Sequence, residues 1–197
     1  MTRPSGGAAA LLRRAGLRPE GPVPWATPAM TRAPGIYIVE LPAALEVAPI
    51  ALGAVRAWIR RVPAITVDGS PTTAAALAAR LAAFWVPSAT VIYIGQASGP
   101  VRGRVAAYYR TPLGDRSPHA GGHWIKTLSC LDDCLVWSAA TDDYDDAERE
   151  LLDDFSRTVP AAERRALHDP SLVLPFANLK NGHGRVKAHR VGGSRLA

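Results

Sequence analysis

The sequence predicts a small α/β domain. Three short runs rich in β-branched and aromatic residues, 35–41, 90–95 and 134–139, read as strands. Stretches with apolar residues at helical spacing separate and follow them. The length, 197 residues, fits one domain with extensions. A composition of 48% hydrophobic and 20% charged residues excludes collagen, coiled coil and a wholly disordered chain.

Taken in order, residues 1–33 read as an N-terminal extension. A short helical stretch, Ala8 to Ala15, precedes Pro19, Gly21, Pro22, Pro24 and Pro28, a density that argues for a semi-rigid arm. Gly35 to Leu41 is the first strand and ends at Pro42. Residues 44–62 carry Leu45, Ile50, Val55, Trp58 and Ile59 at helical spacing. Asp68 to Pro71 is a turn, and Thr72 or Thr73 caps a second helix through about Phe84. Thr90 to Gly95 is the second strand. Ser98 and Pro100 open a helix from Val101 to Arg110, with Val101, Val105 and Tyr109 expected on its packed face. A polar loop, Thr111 to Gly122, leads to a helical stretch at Trp124 to Cys130 and a third strand at Cys134 to Ala139. Asp145 to Thr158 is a helix with acids in its first turn, where the helix dipole favours them. Leu172 to Leu174 is a candidate short strand, and residues 181–197 form a basic tail.

No run of 18 apolar residues occurs, so no membrane span is expected. Arg13 and Arg14 follow the short apolar stretch at the N-terminus instead of preceding it, unlike a signal peptide, and the expected compartment is the cytoplasm. Cys130 and Cys134 cannot make a disulfide framework and read as reduced thiols. The net charge is +6, and 20 of the 23 bases are arginine. Ten of the 17 acids fall in residues 132–154, leaving 22 bases against 7 acids elsewhere. A basic body with one acidic patch suits a polyanionic ligand and a cation site.

Two tripeptides stand out, Gly35-Ile36-Tyr37 and Tyr93-Ile94-Gly95, each on a predicted strand. With the residues downstream they resemble the GIY-YIG nuclease family. That resemblance covers Gly35 to Asn178 and implies a three-stranded antiparallel sheet flanked by helices. The 56 positions between Tyr37 and Tyr93 then imply a two-helix insertion, 39–91, within a domain spanning 34–180. The family arginine matches Arg104, which pairs with Tyr108 at i, i+4; Arg102 is the alternative. The family histidine falls at His123 or His119. Glu148, followed by Leu151 and Leu152, matches the metal-ligand glutamate better than Glu150, and Asn178 matches the closing asparagine after a proline.

The residue types suit phosphodiester chemistry independently. Arginine offers a planar fork for two phosphate oxygens. Glutamate is a hard ligand for Mg²⁺ or Mn²⁺, which neutralises a leaving oxygen. A tyrosine near a cation and an arginine loses its proton more readily than a free one. The resemblance implies Tyr37 as general base, with Tyr93 or Tyr108 positioning water or phosphate. The expected function is a metal-dependent endonuclease acting on DNA, with RNA as the other substrate class. The alternatives are a nucleic-acid-binding module of the same fold without turnover, or an interaction domain whose acidic helix is the partner surface. Arg56, Arg60, Arg110, Lys180, Arg185, Lys187 and Arg190 are candidate backbone contacts. The helix of Arg56 and Arg60 also reads as a packed cap held by Trp58 and Trp85.

Overall fold

A computed structural model describes residues 7–115 and 122–193. In chain order its elements are α1 (Ala8–Arg14), β1 (Glu20–Pro24), β2 (Gly35–Glu40), α2 (Leu52–Arg61), β3 (Thr66–Val67), β4 (Ser70–Pro71), α3 (Ala74–Ala82) and β5 (Val91–Ala97). They continue as α4 (Val101–Arg110), β6 (Leu135–Ala140), α5 (Tyr144–Thr158), α6 (Ala161–Ala166) and β7 (Val191–Gly192). His123–Thr127 and Leu131–Asp133 are 3₁₀ turns. Among the described residues no helix is long and apolar enough to cross a membrane.

The expected single three-stranded sheet is corrected. The main sheet has four antiparallel-paired strands in the order β1-β6-β2-β5, and a second sheet runs β4-β3-β7. The fourth strand comes from the proline-rich arm. Pro22 and Pro24 lack N–H donors, which a central strand cannot tolerate, but β1 is an edge. The second sheet joins two-residue pairs, Thr66 and Val67 to Val191 and Gly192, across more than 120 positions.

β2 is buried along nearly its whole length because both its faces are covered. Ile36 and Ile38 join Ile94, Leu11, Leu12, Leu151, Leu152 and Phe155, the layer built with α1 and α5. Tyr37 and Val39 face the other layer, with Val55, Trp58, Leu77, Val101 and Val105 from α2, α3 and α4. The core therefore includes α1, while β1 contributes only the half-buried Val23, packed against it.

One boundary moved, one of two expected caps is selected, and one expected strand is absent. The helix expected from 44 starts at Leu52, since Pro49 biases the residue before it away from helix. Thr73 is the cap of α3, its hydroxyl accepting from the Ala76 N–H at 3.2 Å. Leu172 to Leu174 is not a strand.

Candidate functional site

β5 and β6 run in the same direction on either side of β2, and Ala97 and Ala140 both register with Gly35. Their C-terminal ends feed α4 and α5. Between these two helices lies an open cleft of about 700 Å³. Gln96, Ser98, Pro100, Gly103 and Arg104 line it from one side, and Tyr144 and Asp145 from the other.

Both tripeptide glycines have a steric cause. A Cβ on Gly35 would lie 2.1 Å from the carbonyl oxygen of Ala139, so β6 can approach only a glycine there. Gly95 stands directly opposite Tyr37, whose ring lies on it. Tyr37, Tyr93 and Tyr108 form a triangle, with ring centroids 5.8 Å (Tyr37–Tyr93), 5.5 Å (Tyr93–Tyr108) and 6.4 Å (Tyr37–Tyr108) apart.

Burial dominates the tyrosine electrostatics. It holds Tyr37 well above the usual phenol range, and the neighbouring Tyr93 and Tyr108 add to the rise. Arg104 acts in the opposite sense and loses. Tyr93 is pushed up to about 12 by burial, against its hydrogen bond to Tyr37, with Glu148 adding to the rise. The expected easing of tyrosine ionisation is therefore reversed in the protein alone. Tyr108 is also raised by burial, and its hydroxyl donates to the Gly122 carbonyl. That bond ties Tyr108 to the chain just before His123, so its hydroxyl serves the fold.

The packed face of α4 is Val101, Val105 and Tyr108, with Tyr109 half-buried beside it. This phase sets Arg104 at the cleft while Arg102 is exposed and lies outside its lining. Arg104 is felt by Tyr37, Tyr93 and Glu148. Glu148 is half-buried on α5, and burial pushes its carboxyl up to about 7; Asp145 reinforces this, while Lys180, Gln96 and Arg104 oppose it. Glu150 is exposed. Gln96 also donates to Asp145 at 2.6 Å, which ties the end of β5 to the first turn of α5.

Asn178 is buried, and its role is in the backbone. Its Oδ1 accepts from the Ile94 N–H at 2.9 Å and its Nδ2 donates to the Ile94 carbonyl at 2.7 Å. β5 is an edge strand, and Asn178 supplies the partner that a further strand would. It thereby fixes the strand between Tyr93 and Gly95. His123 opens the 3₁₀ turn after Gly122, half-buried; His119 lies outside the described residues.

The basic candidates divide. Arg56, Arg60, Arg110, Lys180, Arg185 and Arg190 are exposed. Lys187 is corrected: it is 2% exposed, donates to the Pro175 and Phe176 carbonyls at 3.1 and 3.0 Å, and sits over the rings of Phe84 and Trp124. It has no surface for a phosphate. Tyr144, Gln96 and Asp145 line the cleft without having been singled out in the sequence. Only the registration of two strand ends brings them there.

Among the described residues, no group of three or more His, Cys, Asp or Glu stands together as a metal cage. Glu148, with Asp145 one turn earlier on the same helix face, fits a hard cation that keeps most of its ligands as water or substrate oxygen. No family model, no curated protein and no solved structure matches this chain.

Proposed function

We propose that the chain is a metal-dependent endonuclease hydrolysing phosphodiester bonds in DNA, in the manner of the GIY-YIG nucleases its sequence resembles. One observation carries this reading. Arg104, from α4, lines an open cleft and acts electrostatically on Tyr37, Tyr93 and Glu148, from β2, β5 and α5, which lie outside the cleft lining.

Arg104 donates two N–H groups to oxygens of the scissile phosphate and holds it in line. Glu148, supported by Asp145, would hold Mg²⁺ or Mn²⁺. That cation, when bound, neutralises the leaving oxygen. Glu148 raises Tyr93 while its carboxylate is free, and a cation held there would oppose that effect. As base, Tyr37 would first give up its own proton to solvent, and its phenolate would then take the proton of the attacking water while the Tyr93 hydroxyl donates a hydrogen bond to it. Asn178 keeps Tyr93 and Gly95 in place from the far edge of β5.

Supercoiled plasmid nicking tests this. Nicking with Mg²⁺ or Mn²⁺, absent with EDTA and lost in both Glu148→Ala and Tyr37→Phe, is the expected result. Absence of wild-type nicking while salt-sensitive DNA binding persists would overturn it. It would favour the second reading, a binding module without turnover, which the strongly buried and protonated Tyr37 supports.

A further inference from the structure

α4 carries Arg104, yet its own sequence does not cap it. Pro100 stands at the N-cap with no side-chain hydrogen bond. The first two amides are met from the N-terminal arm. Val101 donates to the Ala33 carbonyl at 3.0 Å and Arg102 to the Thr31 carbonyl at 2.9 Å.

Thr31 is itself locked. It is 3% exposed, and its hydroxyl lies 2.5 Å from a Glu20 carboxylate oxygen and 2.9 Å from the Ser138 hydroxyl. Ser138 registers with Glu20 on β1 and with Tyr37 on β2. The row of the sheet that carries Tyr37 therefore fixes the carbonyls that hold the start of α4.

The other end of α4 is gripped by Trp25. Its ring stands edge-on to Tyr108, with centroids 5.5 Å apart at 83°, and to Tyr109 at 4.7 Å and 70°. Its backbone N–H donates to the carbonyl of Cys134, the residue just before β6, at 2.8 Å, which sets its place. Residues 20–34 thus hold α4 at both ends, and Arg104 lies between the two grips.

We propose that the arm, residues 20–34, is a positioning element of the site, with Trp25 as its positioning residue. Trp25 touches no reacting atom. It fixes where α4 stands over the sheet, and so where Arg104 meets the scissile phosphate relative to Tyr37. The catalytic consequence rests on the nuclease reading. The hold on α4 does not.

The test uses the full chain with Trp25→Ala, Trp25→Phe and Thr31→Val, the last of which frees the loop while keeping its carbonyl. Hydrogen exchange of residues 101–110 is read beside the kcat and KM of plasmid nicking with Mg²⁺, and circular dichroism checks folding. In Trp25→Ala, exchange over 101–110 is expected to rise about tenfold while β2 and β5 amides keep their rates. Its kcat is expected to fall about 30- to 100-fold with KM within about twofold, as for a misplaced reacting group. Trp25→Phe, which keeps an aromatic edge, restores kcat to within about fivefold of wild type. If Trp25→Ala does not fold, Thr31→Val decides, with the same pattern at about fivefold in kcat. Unchanged exchange over 101–110, or unchanged kcat in a folded variant, overturns the proposal. If the wild type does not nick, the nuclease reading falls by itself, and exchange alone upholds or overturns the hold on α4.

Discussion

A Cβ placed on Gly95 would lie 2.6 Å from Cζ of Tyr37 and 2.7 Å from its hydroxyl oxygen. The two residues are direct partners in the β2–β5 ladder. The first tripeptide's tyrosine thus rests on the second tripeptide's glycine, and the two motifs make one contact. Gly95→Ala forces the Tyr37 ring out of that seat. The expected cost is about 1–3 kcal/mol of stability, as for other overpacked cores. A displacement near 1 Å lowers plasmid nicking by roughly 10²-fold. Denaturant unfolding and nicking rates check this. A variant with wild-type midpoint and wild-type rate would show that the ring does not need the space.

Asn178 makes a different prediction. Its side chain satisfies both backbone groups of Ile94 on the open edge of β5. Asn178→Ala leaves a buried donor and acceptor unpaired, which costs about 2–4 kcal/mol. Asn178→Asp keeps an acceptor for the Ile94 N–H but sets a carboxylate against its carbonyl, and so gains nothing over alanine. Asn178→Asp as stable as wild type in thermal unfolding at neutral pH would contradict this assignment.

The tripeptides and α4 were legible because their signals are local. A strand of β-branched and aromatic residues needs no distant partner to be recognised, and the bounds read for α4, Val101 and Arg110, match the structure. The phase of that helix was not legible. Tyr108 and Tyr109 are adjacent and equally apolar, and it is the carbonyl of Gly122 together with the rings of Tyr37 and Tyr93, all distant in sequence, that receives Tyr108 inside. β1 escaped because Pro22 and Pro24 argue against a strand unless it lies at an edge, which is a property of the sheet. Lys187 escaped because a run of bases without acids reads as a solvated tail. Its burial depends on carbonyls of residues 175 and 176 and on two aromatic rings from elsewhere. The resemblance supplied Asn178 as a site residue, but its hydrogen bonds to Ile94 could not be read from spacing.

Arg56 and Arg60 lie four apart on an exposed face of α2, far in sequence from the cleft residues. Among the described residues neither makes an ion pair, whereas Arg61 on the same helix is held by Asp115. If they follow a nucleic-acid backbone, replacing both with alanine reduces the slope of log affinity against log salt by about 1.8, since each phosphate contact contributes about 0.9. Maximal nicking at saturating DNA stays unchanged because neither residue lines the cleft. An unchanged salt slope would assign this face of α2 to solvent.

Lys187 makes stability depend on pH in an unusual direction. Burial lowers its ammonium to about 7, while Asp169 opposes that shift. In the unfolded chain it titrates near the ordinary value of about 10.4. Between these two values the unfolded state binds the proton and the folded state does not. Stability therefore rises with pH across that window, by up to about 1.4 kcal/mol per pH unit. Below pH 7 both states are protonated, and the contribution stays at its least favourable level. His189 shares this region and is lowered by burial, then by the charges of Lys187 and Arg80, so the total profile mixes several groups. Lys187→Met isolates the lysine. It removes the charge and keeps the apolar length between Phe84 and Trp124, at the loss of two hydrogen bonds to carbonyls. Relative to wild type, the variant is expected to be most favourable near pH 6 and to lose ground steadily toward pH 9. Urea unfolding at pH 6, 7.5 and 9 measures this. A difference between the two proteins that stays constant over the three pH values would mean that Lys187 keeps its proton in the fold.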